Sequence, residues 1–147
     1  MTVRPSVNRF EIDDELKLRA AGQAAVTADT LSDKFDLGKL AAYWNSNGDL
    51  AVPHQFAVVV EVEAGSFDPE TYVFEVGTCN AAADSALDQV LQSRAVTATG
   101  RYVFVVSREE LAADADAAFL AVNLNATAGG GSISMAWNAY VAPLNGK

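Results

Sequence analysis

Cys79 and His54 are the first residues to try as a nucleophile and its base, since the chain holds one of each. They fall on different predicted strands, and no oxyanion motif accompanies them. Cys79 reads as a small buried side chain. His54 follows Pro53 just ahead of a strand and reads as an edge or surface residue. A zinc site built on one His and one Cys would need carboxylates for the rest of its shell. Carboxylates are plentiful, with 19 Asp and Glu against 10 Lys and Arg. Asp13-Asp14-Glu15 is a charge run leading into a strand. Asp114 and Asp116 alternate with Ala115 and Ala117, which places both on one face of a strand edge. They would bind Ca²⁺ if Asp68 or Asp84 came near, but a solvated acidic face is the simpler reading. Glycoside hydrolysis needs two placed carboxylates, and the sequence singles out no such pair. Gly129-Gly130-Gly131-Ser132 lacks the Lys-Ser/Thr ending of a phosphate loop. It joins two strand patterns, so a hairpin connection is expected. No catalytic, cofactor-binding or metal-ligating residue is assigned, and an enzyme is not expected.

Binding is the chemistry that the aromatic residues and the N-terminus suggest. Trp137 shares the apolar phase of Ile133 and Met135, which places it in a core. Trp44 stands beside Tyr43, ahead of Asn45-Ser46-Asn47-Gly48. That pair suits an interface anchor, and equally a loop packing its own aromatic groups onto the domain. Thr2 to Glu11 carries Val3, Val7 and Phe10 as apolar anchors, with Arg4 and Arg9 between them. At about 3.3 Å per residue this arm reaches roughly 30 Å. Either it fastens the acidic body to a partner, or Phe10 folds back onto its own domain. Arg4, Arg9, Phe10, Tyr43 and Trp44 are the expected partner contacts.

The elements that position these residues have a period of two. Phe56, Val58, Val60 and Val62 alternate with Ala57, Val59, Glu61 and Glu63. The same alternation runs through Tyr72–Val76, Tyr102–Val106, Ala118–Leu124 and Ile133–Trp137, each run turning one face to a core. Weaker strands are read at Leu16–Arg19, Leu31–Asp36 and Val90–Arg94. Asn-Gly, Asp-Pro and Gly-rich separators lie between them. Ser107 and Glu110 fit a capping box around one helical turn, and Asp84 to Gln89 fits another short turn. The 147 residues suit one domain. The expected fold is all-β: a jelly-roll-like antiparallel β-sandwich of about eight strands. An extended N-terminal arm (1–12) precedes a single sandwich domain (13–147). A net charge of −9 does not suit a general nucleic-acid binder. No apolar run is long enough for a membrane span. No secretion signal is read, and the single cysteine leaves no internal disulfide.

Several phrases in order carry a resemblance. A Leu-containing opening strand is followed by Ala-Val-Thr-Ala-Asp-Thr-Leu-Ser and by Phe35-Asp36-Leu37-Gly38. The long Phe56–Glu63 strand comes next, then Tyr72-Val73-Phe74-Glu75-Val76 and Thr99-Gly100-Arg101-Tyr102-Val103-Phe104. The Asp116–Asn123 strand and Ala139-Tyr140-Val141-Ala142-Pro143-Leu144 close the series. From Leu16 to Leu144 the chain resembles the small jelly-roll cement, or decoration, proteins of tailed-bacteriophage capsids, the type known from a Bordetella phage. The resemblance implies a homotrimer on the outer capsid surface of a virion, made in the host cytoplasm. It would bridge major capsid proteins at three-fold positions, with no cofactor and no direct contact to nucleic acid or membrane. The arm and the Tyr43–Pro53 loop are longer than the resemblance implies. The alternative is a carbohydrate- or receptor-binding β-sandwich of a tail or surface structure.

Overall fold

The computed structural model describes residues 16–39 and 55–143. The expected arm and the boundary at residue 12 lie outside them. The described chain forms β1 (Lys17–Arg19), β2 (Thr30–Leu31), β3 (Phe35–Asp36), β4 (Gln55–Gly65), β5 (Thr71–Cys79) and β6 (Gln89–Val96). β7 (Gly100–Ser107), the short helix α1 (Arg108–Ala112), β8 (Phe119–Thr127) and β9 (Met135–Pro143) follow. The strands make two antiparallel sheets. Sheet A runs β1-β9-β4-β7, and sheet B runs β2-β8-β5-β6, with β3 also on β8.

Counting β2 and β3 as one interrupted strand, the first strand pairs with the last, the second with the seventh, the third with the sixth and the fourth with the fifth. One long antiparallel hairpin rolled on itself has these pairings, so the sandwich is a jelly roll. The register follows from the alternating pattern. Val58 lies opposite Phe104 and Val141, and all three face inward with Phe56, Val60 and Val62. From sheet B, Tyr72, Phe74, Val76, Leu120, Val122 and Leu124 meet them. Trp137 is 1% exposed, and its ring lies 5.0 Å from that of Phe74 at a 60° tilt. Each such large side chain contributes about 1.5–3 kcal/mol on burial. The capping box also forms: Ser107 Oγ accepts from the Glu110 amide, and Glu110 Oε1 accepts from the Ser107 amide.

Three local expectations are corrected. Leu31–Asp36 is not one strand. The Ser32 hydroxyl accepts the Val122 amide at 2.9 Å, and the Asp33 amide turns away to Leu18 O in sheet A. A side-chain oxygen here displaces the backbone ladder. Gly129-Gly130-Gly131 is not a hairpin turn, because β8 and β9 belong to different sheets. Its glycines admit a close crossing instead. A methyl group at 129 would overlap the Pro69 carbonyl, and one at 131 would overlap the Glu70 carboxylate. Asp114 and Asp116 lie in the loop after α1 rather than on a strand edge, and Asp114 Oδ1 accepts the Asp116 amide.

Candidate binding face

The outer face of sheet A is set by the phase of β4. With Phe56, Val58 and Val60 inward, Ala57, Val59 and Glu61 point outward. Cross-strand register then builds rows. One row is Ala142–Ala57–Val105, the next Tyr140–Val59–Val103, and the third Asn138–Glu61–Arg101. Two of the three rows are almost wholly aliphatic or aromatic. Val103 and Val105 are each 39% exposed, on the edge strand β7, whereas Ala57 and Val59 beside them are buried. An outward face of an antiparallel sheet is ordinarily polar, so these rows are unusual. The third row is polar. Arg101 donates to Glu61 Oε2 at 2.7 and 3.1 Å, and Asn138 Nδ2 donates to Glu63 Oε2 at 2.7 Å. Charge on this face is nearly balanced, with Lys17 and Arg101 against Glu61 and Glu63.

Where this face meets β1 it sinks into a recess of about 270 Å³. Lys17, Arg19 and the turn at Ala20-Ala21 form one wall. Glu61, Asn138, Ala139 and Tyr140 form the other. Arg19 holds the first wall in place. Its Nε donates to Trp137 O at 3.0 Å, and its second nitrogen to Ala24 O at 3.2 Å. Its guanidinium lies 5.1 Å from the centre of the Trp137 ring. Burial pushes the Arg19 pKa down, and the charges of Glu63 and Asp33 oppose this. Burial pushes the Tyr140 hydroxyl up, Glu61 adds to this and Arg101 opposes it, so the phenol stays protonated at neutral pH.

A second cluster lies at one end of sheet B. The oxygens of Asp84 and Asp88 and the sulfur of Cys79 lie within 4.8 Å of one another. The Asn80 amide donates to both carboxylates, at 3.1 and 2.7 Å. The Asn80 side chain, turned so that its nitrogen faces the acceptors, donates to Asp114 Oδ2 at 3.1 Å. Asp84 and Asp114 each bond to Asn80, but the group within 4.8 Å is Cys79, Asp84 and Asp88, without Asp114. A hydrogen bond shared between Asp84 and Asp88 holds the Asp84 pKa down and pushes that of Asp88 up. Cys79 is fully buried, and its thiol donates to Ala86 O at 3.5 Å. Burial raises its pKa, Lys34 opposes this, and Asp84 and Asp88 add to it.

Of the residues singled out by sequence, Trp137 is in the core as expected. Arg4, Arg9, Phe10, Tyr43, Trp44 and His54 lie outside the described residues. Nothing in the sequence alone singles out Glu61, Asn138 and Tyr140 as one site. Their polar phase along β4 and β9 was a visible signal, but their meeting depends on register. No helix among the described residues is long and apolar enough to cross a membrane. Comparison with known protein families, curated proteins and solved structures returns no match to this chain.

Proposed function

We propose that this chain is a structural virion protein that decorates the outside of an icosahedral phage capsid. As a homotrimer at three-fold positions, it bridges major capsid proteins and stabilises the shell. The observation that carries the reading is the exposed valine pair on the outer face of sheet A, Val103 and Val105. Val103 and Val105, held in register against the buried Val59 and Ala57, give a rigid apolar edge suited to burial between copies. Charge on this face is close to balanced, so copies that each carry −9 approach with least repulsion there. The jelly-roll topology and the resemblance from Leu16 to Leu144 support the same reading. In this account Arg4, Arg9, Phe10, Tyr43 and Trp44 contact the shell. Three linked copies turn modest contacts into firm attachment, because once one is held the others act at high effective concentration. The shell gains stability because bound protein must be lost before subunits part.

Sedimentation equilibrium at micromolar concentration, followed by co-sedimentation with capsids of the parent phage, tests the reading. The native chain should sediment as a trimer and bind. Val103→Glu with Val105→Glu should give a folded monomer that binds poorly. A native monomer that leaves capsids bare would refute it.

A further inference from the structure

We propose that the recess between β1 and β9 is a binding site for one neutral pyranose ring. The site does not depend on the capsid reading and stands without it. Its volume of about 270 Å³ lies just below the usual range of small-molecule pockets, roughly 300–1,000 Å³. It therefore suits one ring rather than a chain.

Three oxygen atoms on its wall are uncommitted among the described residues. Arg101 uses only Oε2 of Glu61, which leaves Oε1. Asn138 gives its Nδ2 to Glu63, which leaves Oδ1. The Tyr140 hydroxyl has no hydrogen-bond partner among the described residues. All three sit on paired strands rather than loops, so they are held in place before a ligand arrives. A ligand that satisfies them must bring several hydroxyl donors.

The remaining surface is apolar. The half-buried Tyr140 ring, with Ala20, Ala21 and Ala139, gives a patch that fits the C–H face of a sugar. The charges on the wall are mutually engaged and single out no ion. Arg101 already pairs with Glu61, and Lys17 and Arg19 lie opposite it, so the lining carries charges of both signs. Arg19 is already engaged with two carbonyls and the Trp137 ring. A neutral ring with hydroxyls on its rim and C–H groups on its face meets every condition.

The test is an NMR titration of the ¹⁵N-labelled full chain. The probes are methyl glucoside, galactoside and mannoside, N-acetylglucosamine and methyl rhamnoside, with citrate and arginine as charged controls. At least one sugar should cause saturable shifts of the Asn138 side-chain amide and the Ala20 and Ala21 amides, with millimolar affinity. Tyr140→Ala should weaken that binding about tenfold or more, and Glu61→Gln should weaken it less. Glu61→Gln changes a surface group and keeps the comparison valid if Tyr140→Ala does not fold. Absence of saturable shifts at these signals for every sugar overturns the proposal. So does unchanged affinity in both variants, or stronger binding of citrate or arginine than of any sugar.

Discussion

Replacing Arg19 with alanine should destabilise the sandwich although the residue is only partly buried. β1 is three residues long, and its register against β9 slips between Lys17 and Arg19. The Trp137 carbonyl is not met by a strand amide from β1; the Arg19 side chain supplies the donor. A second donation to Ala24 O holds the following turn, and the cation covers the Trp137 ring. Hydrogen bonds from a charged group contribute about 1.5–3 kcal/mol each, with the low end apt for a half-exposed site. The cation–π contact adds about 0.5–1 kcal/mol. The terms overlap, so Arg19→Ala should cost about 3 kcal/mol. In a domain of this size each kcal/mol lowers Tm by about 2–4 °C, giving a fall of roughly 10 °C. Arg19→Met keeps the apolar stem and should recover only a small part. Thermal melts followed by tryptophan fluorescence measure both. An Arg19→Ala melt within about 2 °C of the native protein would refute the view that this side chain completes the edge of β9.

Gly77→Ala should cost about 1–3 kcal/mol in urea unfolding, because the added methyl overlaps the Gln89 carbonyl at the bulge between β5 and β6. Native-like stability there would contradict the bulge geometry. The Cys79 thiol should react slowly with an aromatic disulfide reagent in the native state and quickly in urea, since burial raises its pKa and hides the sulfur. Fast native labelling would contradict this. Glu70 is buried under the Gly129–Gly131 crossing. Burial pushes its pKa up, but this is more than offset by the Ser66 hydroxyl at 2.9 Å and the nearby amides of Glu70, Gly131 and Gly129. The folded value therefore lies below 4.5. Stability from this group is full above pH 4.5 and lost as pH falls through the folded value. Glu70→Gln should remove that part of the acid limb in urea midpoints measured against pH, and an unchanged limb would contradict it.

The inward set of each long strand was legible because burial imposes a period of two on the side chains. Phe56, Val58, Val60, Phe74, Leu120 and Trp137 follow from that alternation alone. The capping box was legible because its partners are three residues apart. What depends on pairing was not. A Gly-Gly-Gly signal says that the chain turns, but not whether the next strand joins the same sheet. The break at Ser32 needs Val122 beside it, and the two are distant in sequence. Asp114 and Asp116 alternate with alanine as strand residues would, but they belong to the loop that leaves α1. The recess was hidden for the same reason. Arg19, Glu61 and Tyr140 lie on three strands and meet only once β9 is seated between β1 and β4. The outward valines were visible as apolar residues in the wrong phase. Val103 and Val105 are set against Val59 and Ala57 only by the β4–β7 register.

Cryo-electron microscopy of tailed-phage capsids incubated with the purified chain is the decisive test of the proposed capsid role. A jelly-roll trimer is expected on the outside of the shell at three-fold positions. Val103 and Val105 should be buried between copies, and the Arg4–Phe10 arm should touch the major capsid protein. Capsids without added density, or bound single copies with Val103 and Val105 facing solvent, would contradict it.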